Sequence, residues 1–535
     1  MRQQVSVVDT APGYLDAPPR PALELRHSLS LAAAAVVLWA SVARADPTRP
    51  RGFDPELTSE TTAQFYEMRS PSGQTVISRR RLTTTLGLAA YDLLESSADP
   101  HAPTLVFRAR LRYDADYGGT TAETDPRSRA FVAAFDRGPA DLMYGYVEGR
   151  HFFNGVLDFR LGRQYVTDAL GWWSFDGGLA KVTTPFWLAL EFYGGLEQRG
   201  GLPFSTNRYE RDGVWRGDRT DYDRLLYPSF QESDVAPAIG AAVESTGLSW
   251  LHARATYRRV YNTATSNLSQ FVGSSTPPAS IGMTRISSER VGYAIDATVG
   301  EVGGVKAGFA YDLYARKMGN IYASLDWYAR KTLTVSLDYD FYQPTFDADS
   351  IWNFFLAMPM NDLALRAAWD PSRHIGIAGG LHGRLFQLQT AAATVSQPTA
   401  PNAIALDNVY PSSGVEPMGG MDLSARYRFG EGSIGVRGAL DVAKTGDRLG
   451  LDVYGERTLE TRYVFQARTG VWHWSDEQRA SRDATTFGYV LGAGYRVSPK
   501  VLFLTDFQHD MNRIGGQRFR SMVWLSIALS NARGN

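Results

Sequence analysis

The sequence predicts an all-β protein, a single large transmembrane antiparallel β-barrel of about 20–22 strands, with about 22 as the best count. Three observations support this fold class. From about Thr61 onward, segments of roughly ten residues alternate apolar and polar side chains, as strands with two unlike faces do. The links between these segments are alternately short and long. After Asp46, no apolar run is long enough for a membrane-spanning helix.

The composition limits the function classes. The chain has 535 residues and a formal net charge of −1 at pH 7, so no global positive field favours nucleic acid as a partner. It has no cysteine, which excludes disulfides, a thiol nucleophile and a cysteine metal site. We find no phosphate-binding loop and no metal-ligand spacing. Neither a cofactor nor a metal is therefore expected.

The first 45 residues have the pattern of a secretory signal peptide. Basic residues precede the apolar stretch SLSLAAAAVVLWASVA, and Ala43–Ala45 supplies small residues for cleavage before Asp46. The segment ahead of Arg20 is long for a signal, so the true start is either Met1 or a downstream position. Residues 46–60 are expected to be a short periplasmic segment, followed by the barrel at 61–530 and a tail at 531–535.

One segment shows the alternation clearly. In TLTVSLDYDFY (Thr332–Tyr342), every second side chain from Leu333 to Phe341 is apolar or aromatic, whereas Asp338 and Asp340 lie on the other face. A soluble sandwich would bury the apolar face, and a membrane barrel would place it in lipid. A sandwich of about twenty strands exceeds one ordinary core and should split into domains, and a propeller would show a sequence repeat. We see neither a dividing linker nor a repeat.

A second segment decides which face meets water. In LVFRARLRYDA (Leu105–Ala115), one face carries Arg108, Arg110 and Arg112. A dry core does not hold three adjacent guanidinium groups, and on the lipid side each costs about 2–4 kcal/mol near the midplane. A wet lumen opposite a lipid-facing surface satisfies both faces.

The links add a second regularity. The short links are FNG (Phe153–Gly155), TG (Thr246–Gly247), RK (Arg330–Lys331), DPS (Asp370–Ser372), GEG (Gly430–Gly432) and SP (Ser498–Pro499). The long links are 115–141, 198–234, 262–285, 343–359 and 389–418. Short and long links fall at opposite ends of the strands, as periplasmic turns and outer loops do. This alternation of short and long links holds only if the chain turns between two strands near Thr184–Pro185. It also needs an early strand near Thr62–Arg69.

Several aromatic side chains lie near segment ends, where interfacial girdles place tryptophan and tyrosine. They are Trp172, Trp173, Trp187, Trp327, Tyr328, Trp369 and Trp524. The sequence leaves two interpretations open, a membrane-interface girdle or ordinary aromatic residues of a sheet.

Three runs of residues carry a family resemblance. VLDFRLGRQ (Val156–Gln164), FDGGLAKV (Phe175–Val182) and WLALEFYGG (Trp187–Gly195) resemble the corresponding run of the alginate-export-type outer-membrane barrels and related porin-like proteins. The resemblance implies a monomeric channel with an arginine-rich lumen. The residues that carry over are Arg160, Gly162, Arg163, Gln164, Asp176 and Gly177. A structural use of the motif and a contact with solute both stay open.

The candidate site is the lumen. The expected pore-lining residues are Arg108, Arg110, Arg112, Asp158, Arg160, Gln164, Asp312, Asp326, Asp338, Asp340, Arg426, Arg428 and Arg437. Arginines dominate the early strands and aspartates the middle strands, which predicts either a transverse field across the channel or salt pairing between neighbouring strands. The loop 198–234 is either an inward constriction or a solvated outer loop. Its candidate residues are Arg208, Arg211, Arg216, Arg219 and Arg224.

The most economical function is an outer-membrane channel for small polar or anionic solutes. The alternative is a non-conducting structural or adhesive barrel whose long outer loops bind a partner. The few histidines have no serine at a fixed spacing, so no catalytic residue is expected. The predicted location is the bacterial outer membrane, and the predicted partners are lipid, the solutes and the barrel-assembly machinery. The last strand is followed by SNARGN rather than ending on the usual aromatic residue.

Overall fold

A computed structural model describes residues 54–91, 93–94, 102–116, 140–198, 236–262, 285–345, 359–388, 414–477, 481 and 483–530. The predicted signal peptide, the tail at 531–535 and the five arginines of the candidate constriction loop lie outside these residues. Among the described residues, no helix has the length and apolar character to cross a membrane.

The described residues form 22 strands joined mostly by short connections. They are β1 (Asp54–Arg69), β2 (Thr75–Tyr91), β3 (Thr104–Asp116), β4 (Ala140–His151), β5 (Leu157–Asp168), β6 (Gly171–Thr183), β7 (Leu188–Glu197), β8 (Pro237–Ser245), β9 (Leu251–Asn262), β10 (Arg285–Val299), β11 (Gly303–Asp312), β12 (Lys317–Arg330), β13 (Leu333–Tyr342), β14 (Met360–Trp369), β15 (Ile375–Leu388), β16 (Gly414–Phe429), β17 (Gly432–Ala443), β18 (Gly446–Leu459), β19 (Tyr463–Trp474), β20 (Ala484–Ser498), β21 (Val501–Asn512) and β22 (Gly516–Ser530). A helical turn, Phe152–Gly155, joins β4 to β5.

Each strand pairs antiparallel with the next, and the last pairs with the first. The closing ladder joins β1 and β22 from Glu56 opposite Ser530 to Arg69 opposite Gln517. Closure pairs the backbone of every strand on both sides, which is what a sheet in lipid requires. The predicted fold class, an all-β closed barrel of 22 strands, is confirmed.

The positions of the strand ends agree with the alternation of short and long links read from the sequence. All the predicted long links follow odd-numbered strands and all the short ones follow even-numbered strands. The segment 92–103 is the longest link at the short-link end. The required break falls at 184–187, between β6 and β7. The early strand is longer than expected, because β1 begins at Asp54, ahead of the boundary placed at 61.

The register assigns one face of the wall to the outside. Leu337 of β13 lies opposite Leu365 of β14, and these side chains are 44% and 50% exposed. On the other face, Asp338 accepts a hydrogen bond from Ser324 of β12 at 2.7 Å. Large apolar side chains are exposed in the same way on the outward face around the wall, as in strands that meet lipid.

Candidate functional site: the lumen and its inward-folded hairpin

The strand register shows which residues of each strand lie on the same side of the wall as the polar face of β13. Because residues directly opposite in a ladder share a face, each pairing extends the lumenal set to the next strand. Arg108 lies opposite Tyr146, and Glu148 opposite Arg160. All thirteen predicted pore-lining residues occupy this face. Their contact with solute stays a prediction.

The hairpin of β5 and β6 departs from the wall part-way along its length. The ladder between β4 and β5 ends with Gly145 opposite Arg163. The ladder between β5 and β6 continues beyond that point to Asp168 opposite Gly171. The segment Gln164–Phe175 therefore has no partner strand on the β4 side among the described residues. We call this segment the flap.

The tip of the flap lies inside the barrel. Asp168 Oδ1 accepts a hydrogen bond from Arg258 Nη2 of β9 at 3.0 Å. A Cβ placed on Gly292 of β10 would lie 2.8 Å from Leu170 Cδ2 and 3.0 Å from Ala169 Cβ. Arg258 and Gly292 both occupy lumenal positions of the register. The flap is therefore folded inward against the inner surface of β7–β10.

The underside of the flap forms the main apolar core among the described residues. Trp173 and Phe175 stack with ring centroids 4.5 Å apart, and both rings contact Tyr193 of β7. The full cluster consists of Val166, Trp173, Phe175, Leu179, Tyr193, Ala236, Ala238 and Val260. Burying each large side chain contributes about 1.5–3 kcal/mol. The hairpin is therefore held inside by an apolar interface and not by the ion pair alone.

The upper face of the flap presents aromatic rings to the lumen. Tyr165 and Trp172 are 39% and 45% exposed, and their rings stack 6.1 Å apart. Tyr144, on the lumenal face of β4, meets Tyr165 edge-on at 5.9 Å. These contacts correct the girdle interpretation for Trp172 and Trp173, which lie on the flap inside the barrel. Trp524 is corrected too, because it lies opposite Thr62 on the lumenal face.

The motif that carried the family resemblance builds the base of the flap. Gly162 has φ 126°, and a Cβ there would lie 2.3 Å from Gly145 O. Glycine alone fits this bend without strain. Arg163 Nε donates to Asp176 Oδ1 at 2.7 Å, and Arg163 Nη1 donates to Leu142 O of β4 at 3.0 Å. That last contact satisfies a carbonyl of β4 beyond the end of its ladder with β5.

Three of the expected pore-lining residues do not contact the open lumen. Gln164 is 0% exposed, and its side-chain amide donates to Gly177 O at 3.0 Å. Its role is to support the flap, because the folded hairpin covers the lumenal face there. Arg112 and Asp312 face inward but are also buried, at 5% and 2% exposure.

Lumenal charges pair with the adjacent strand or with the one beyond it. Arg110 Nη2 lies 2.5 Å from Glu60 Oε2, and Arg160 Nε lies 2.9 Å from Glu148 Oε1. The middle strands follow the same rule, with Asp338 paired to Arg366. Of the two interpretations left open by the sequence, local salt pairing agrees with these contacts. The transverse field stays a prediction.

The wall of β16–β19 differs from the rest of the lumen. Arg426 and Arg437 are exposed, and neither forms an ion pair with a residue that the structure describes. Both line a lumenal recess of about 590 Å³ together with Arg468 and Tyr454. Arg468 is 58% exposed although its Nη2 lies 2.9 Å from Asp452 Oδ2. This wall therefore offers guanidinium donors to an anion in the lumen.

Sequence reasoning missed the residues that place the flap. Asp168, Arg258 and Gly292 are far apart in the chain, and nothing in their spacing joins them. The glycine of LGRQ was an available signal, because glycine inside a strand marks a bend or a close approach. Within the described ranges, no group of histidine and acidic side chains is arranged to hold a metal ion.

The comparisons with known proteins return structures but no family. No family model matches the chain, and no curated protein matches it, so the alginate-export-type resemblance receives no support. Among solved structures, OccAB4 of Acinetobacter baumannii has 6% identity and a TM-score of 0.41, with 91% of this chain and 100% of that chain covered. OccD3 (OpdP) of Pseudomonas aeruginosa has 10% identity and a TM-score of 0.38, with 90% and 92% covered.

A further match is OpdK of Pseudomonas aeruginosa, whose structure was determined with vanillate. It has 10% identity and a TM-score of 0.39, with 89% of this chain and 98% of that chain covered. Identities and TM-scores this low do not assign a function to this chain.

Proposed function

We propose that the protein is a bacterial outer-membrane channel through which small polar or anionic solutes pass between the flap and the arginine-bearing wall of β16–β19. The observation that carries this proposal is the segregation of the two faces of one closed wall. Exposed apolar side chains such as Leu423 (64%) point outward, whereas Arg426 and Arg437 point inward from the neighbouring ladder positions. Lipid outside and water inside satisfy both faces.

The size of the wall supports a conducting lumen. With strands about 4.8 Å apart and tilted by about 40°, a circular barrel of 22 strands is about 44 Å across between backbones. Apart from Asp168–Arg258 of the flap, the ion pairs among the described residues lie on one strand, on adjacent strands or on strands one apart, so they line this space without crossing it. Of the elements that the structure describes, the flap is the one that reaches from one part of the wall to another. A non-conducting adhesive barrel would need side chains that meet across the lumen.

The exposed arginines of the β16–β19 wall form a local site for anions. An arginine that is paired with an aspartate contributes little net positive field. Arg426 and Arg437 form no such pair with a described residue, so their guanidinium groups can donate hydrogen bonds to an anion. A carboxylate or phosphate can accept two parallel hydrogen bonds from each guanidinium. The residues of the motif VLDFRLGRQ serve the base of the flap, so they do not identify the solute.

The proposal includes the partners expected from the sequence. Lipid covers the outward face, and the closed ladder lets one chain act as a monomer. The barrel-assembly machinery inserts it into the membrane. No chemistry is assigned to the lumen, and the absence of enzymatic activity stays a prediction.

Planar-bilayer recording tests the function directly. The mature chain, purified in detergent, should insert as discrete conductance steps. Its reversal potential in a salt gradient should show preference for anions. A chain that folds, as shown by heat-dependent migration in gels, but never conducts would contradict the channel and favour the adhesive barrel.

A further inference from the structure

The flap combines a dry, apolar support with a polar contact surface at its tip. The apolar part lies near its base, where Phe175 packs on Tyr193. The tip depends on the ion pair of Asp168 with Arg258, whose side chains are 0% and 8% exposed. Arg258 also lies over the Trp173 ring, 5.0 Å from its centroid. The two ends of the flap are therefore held by different forces.

The polar surface beneath the tip is incompletely satisfied. Four buried side-chain atoms there have no hydrogen-bond partner within the described residues, namely Asp168 Oδ2, Tyr193 Oη, Thr256 Oγ1 and Arg258 Nε. A buried polar group without a partner costs about 1–3 kcal/mol. When the tip lifts, lumenal water hydrates all of these atoms. Lifting therefore loses one ion pair and some apolar contact but recovers hydration.

From this balance we propose that the flap is a two-position gate, with the ion pair of Asp168 and Arg258 as its latch. The proposal rests on the proposed channel function, and it adds regulation of the same lumen. In the latched position the flap lies against β7–β10. In the raised position it pivots at its base, near Gly162, and its tip extends into the lumen. A bistable element of this kind needs two arrangements that differ by a few kcal/mol.

The wall opposite the tip is shaped for the latched position. Gly292 leaves room for Leu170, and its backbone is not in the left-handed region. A larger side chain at this position would block the docked tip without straining the backbone. Gly304 of β11 is also lumenal, opposite Asp326, but a Cβ there would meet Ala297 O at an ordinary 3.5 Å. Gly304 is therefore a matched control for Gly292.

A reversible staple tests the gate. The chain has no cysteine, so the pair Ala169→Cys and Gly292→Cys introduces the only two thiols. The 3.0 Å between Ala169 Cβ and the position of a Cβ on Gly292 is about half an ångström below the usual range of about 3.5–4.5 Å for a disulfide. Oxidation should fix the tip against β10 after a small shift of the tip and of the Leu170 side chain, whose Cδ2 lies 2.8 Å from that Cβ position. Because a side chain at position 292 itself weakens docking, the oxidised double variant is compared with its own reduced form.

The readout is single-channel current of the full chain in planar bilayers. The oxidised double variant should lose transitions to any second conductance level, and a reductant should restore them. Gly292→Val should shift the channel toward the raised level, whereas Gly304→Val should behave as the unmodified chain does. Each single-cysteine variant should be insensitive to reductant.

The possible failures are distinguishable. If no variant conducts, the channel function itself is contradicted. If the channel conducts but the staple changes nothing, and Gly292→Val equals Gly304→Val, the flap is a fixed constriction and the gate is overturned. If Gly292→Val does not fold, the stapled variant still decides, because its oxidised and reduced forms are the same polypeptide.

Discussion

Asp168 and Arg258 are separated by a large part of the barrel wall along the chain, yet Asp168 Oδ1 and Arg258 Nη2 lie 3.0 Å apart. Asp168 ends β5 at the tip of the flap, and Arg258 points into the lumen from β9. The pair therefore links a hairpin that has left the wall to a part of the wall that it does not border. The flap that this contact helps to hold inside occupies lumenal space that the strand count alone would leave open.

The first prediction concerns this pair. Asp168→Asn removes one charge and leaves Arg258 buried without its partner, which costs about 3–5 kcal/mol for a buried pair. The tip should detach before the barrel unfolds. A fall of about 3 kcal/mol in the opening free energy corresponds to roughly a hundredfold faster exchange of the flap amides. Hydrogen exchange followed by mass spectrometry of the peptide 164–175 measures this rate.

The matched control for that experiment is the double variant Asp168→Asn, Arg258→Gln. Replacing both charges removes the uncompensated guanidinium, so flap exchange should be slower than in Asp168→Asn alone. Peptides of β16–β18 should exchange as in the unmodified chain. Flap exchange in Asp168→Asn equal to that of the unmodified chain would mean that the ion pair does not hold the tip.

The second prediction concerns selectivity. Arg426→Ala combined with Arg437→Ala removes two exposed lumenal arginines that lack an ion pair with a described residue. The permeability ratio of anions to cations should fall, because fixed positive charge raises the local anion concentration. Reversal potentials in a salt gradient measure the ratio, and the change should shrink at high salt. Arg457→Ala is the control, because Arg457 lies opposite Gly432 and Phe465 on the outward face.

An unchanged ratio in the double variant, with normal conductance, would place the anion path elsewhere in the lumen. An equal change in Arg457→Ala would show that net charge, rather than position in the lumen, controls the result.

The sequence was sufficient for the barrel because strand alternation and link parity are local. The face of Asp338 follows from its neighbours in TLTVSLDYDFY, and the ladders agree with it. The flap could not be predicted in this way. Gln164–Phe175 alternates like any strand pair, and its inward fold depends on Arg258 and Gly292, which are distant in sequence. The two-residue link Ala169–Leu170 looks like an ordinary hairpin turn.

The third prediction separates local pairing from a field across the lumen. Asp338→Asn releases Arg366, its present partner, whereas Asp340→Asn removes an exposed charge for which the described residues supply no ion pair. Both changes make the lumen more positive, so the double variant should increase the preference for anions. Because Asp338 already neutralises Arg366, its replacement exposes a guanidinium as well as removing a carboxylate.

Selectivity measured for each single variant decides between the two interpretations. If lumenal charges are paired locally, the change in selectivity caused by Asp338→Asn should depend on Arg366. Adding Arg366→Gln should then reverse that change. If a field from the whole wall sets the selectivity, replacing either aspartate should change the selectivity by the same amount, whether or not Arg366 is present. No change in any of these variants would remove both residues from the solute path.

The fourth prediction tests the assignment of the two faces through neighbouring residues of one strand. Leu423 points outward from the middle of β16 and is 64% exposed, whereas Ser424 points into the lumen opposite Arg437. Leu423→Arg should cost about 2–4 kcal/mol in the free energy of unfolding, because the charge enters lipid near the midplane. Ser424→Arg keeps its charge in water and should cost much less. Urea unfolding from phospholipid vesicles measures both, and equal costs would mean that the outward face of β16 does not meet lipid.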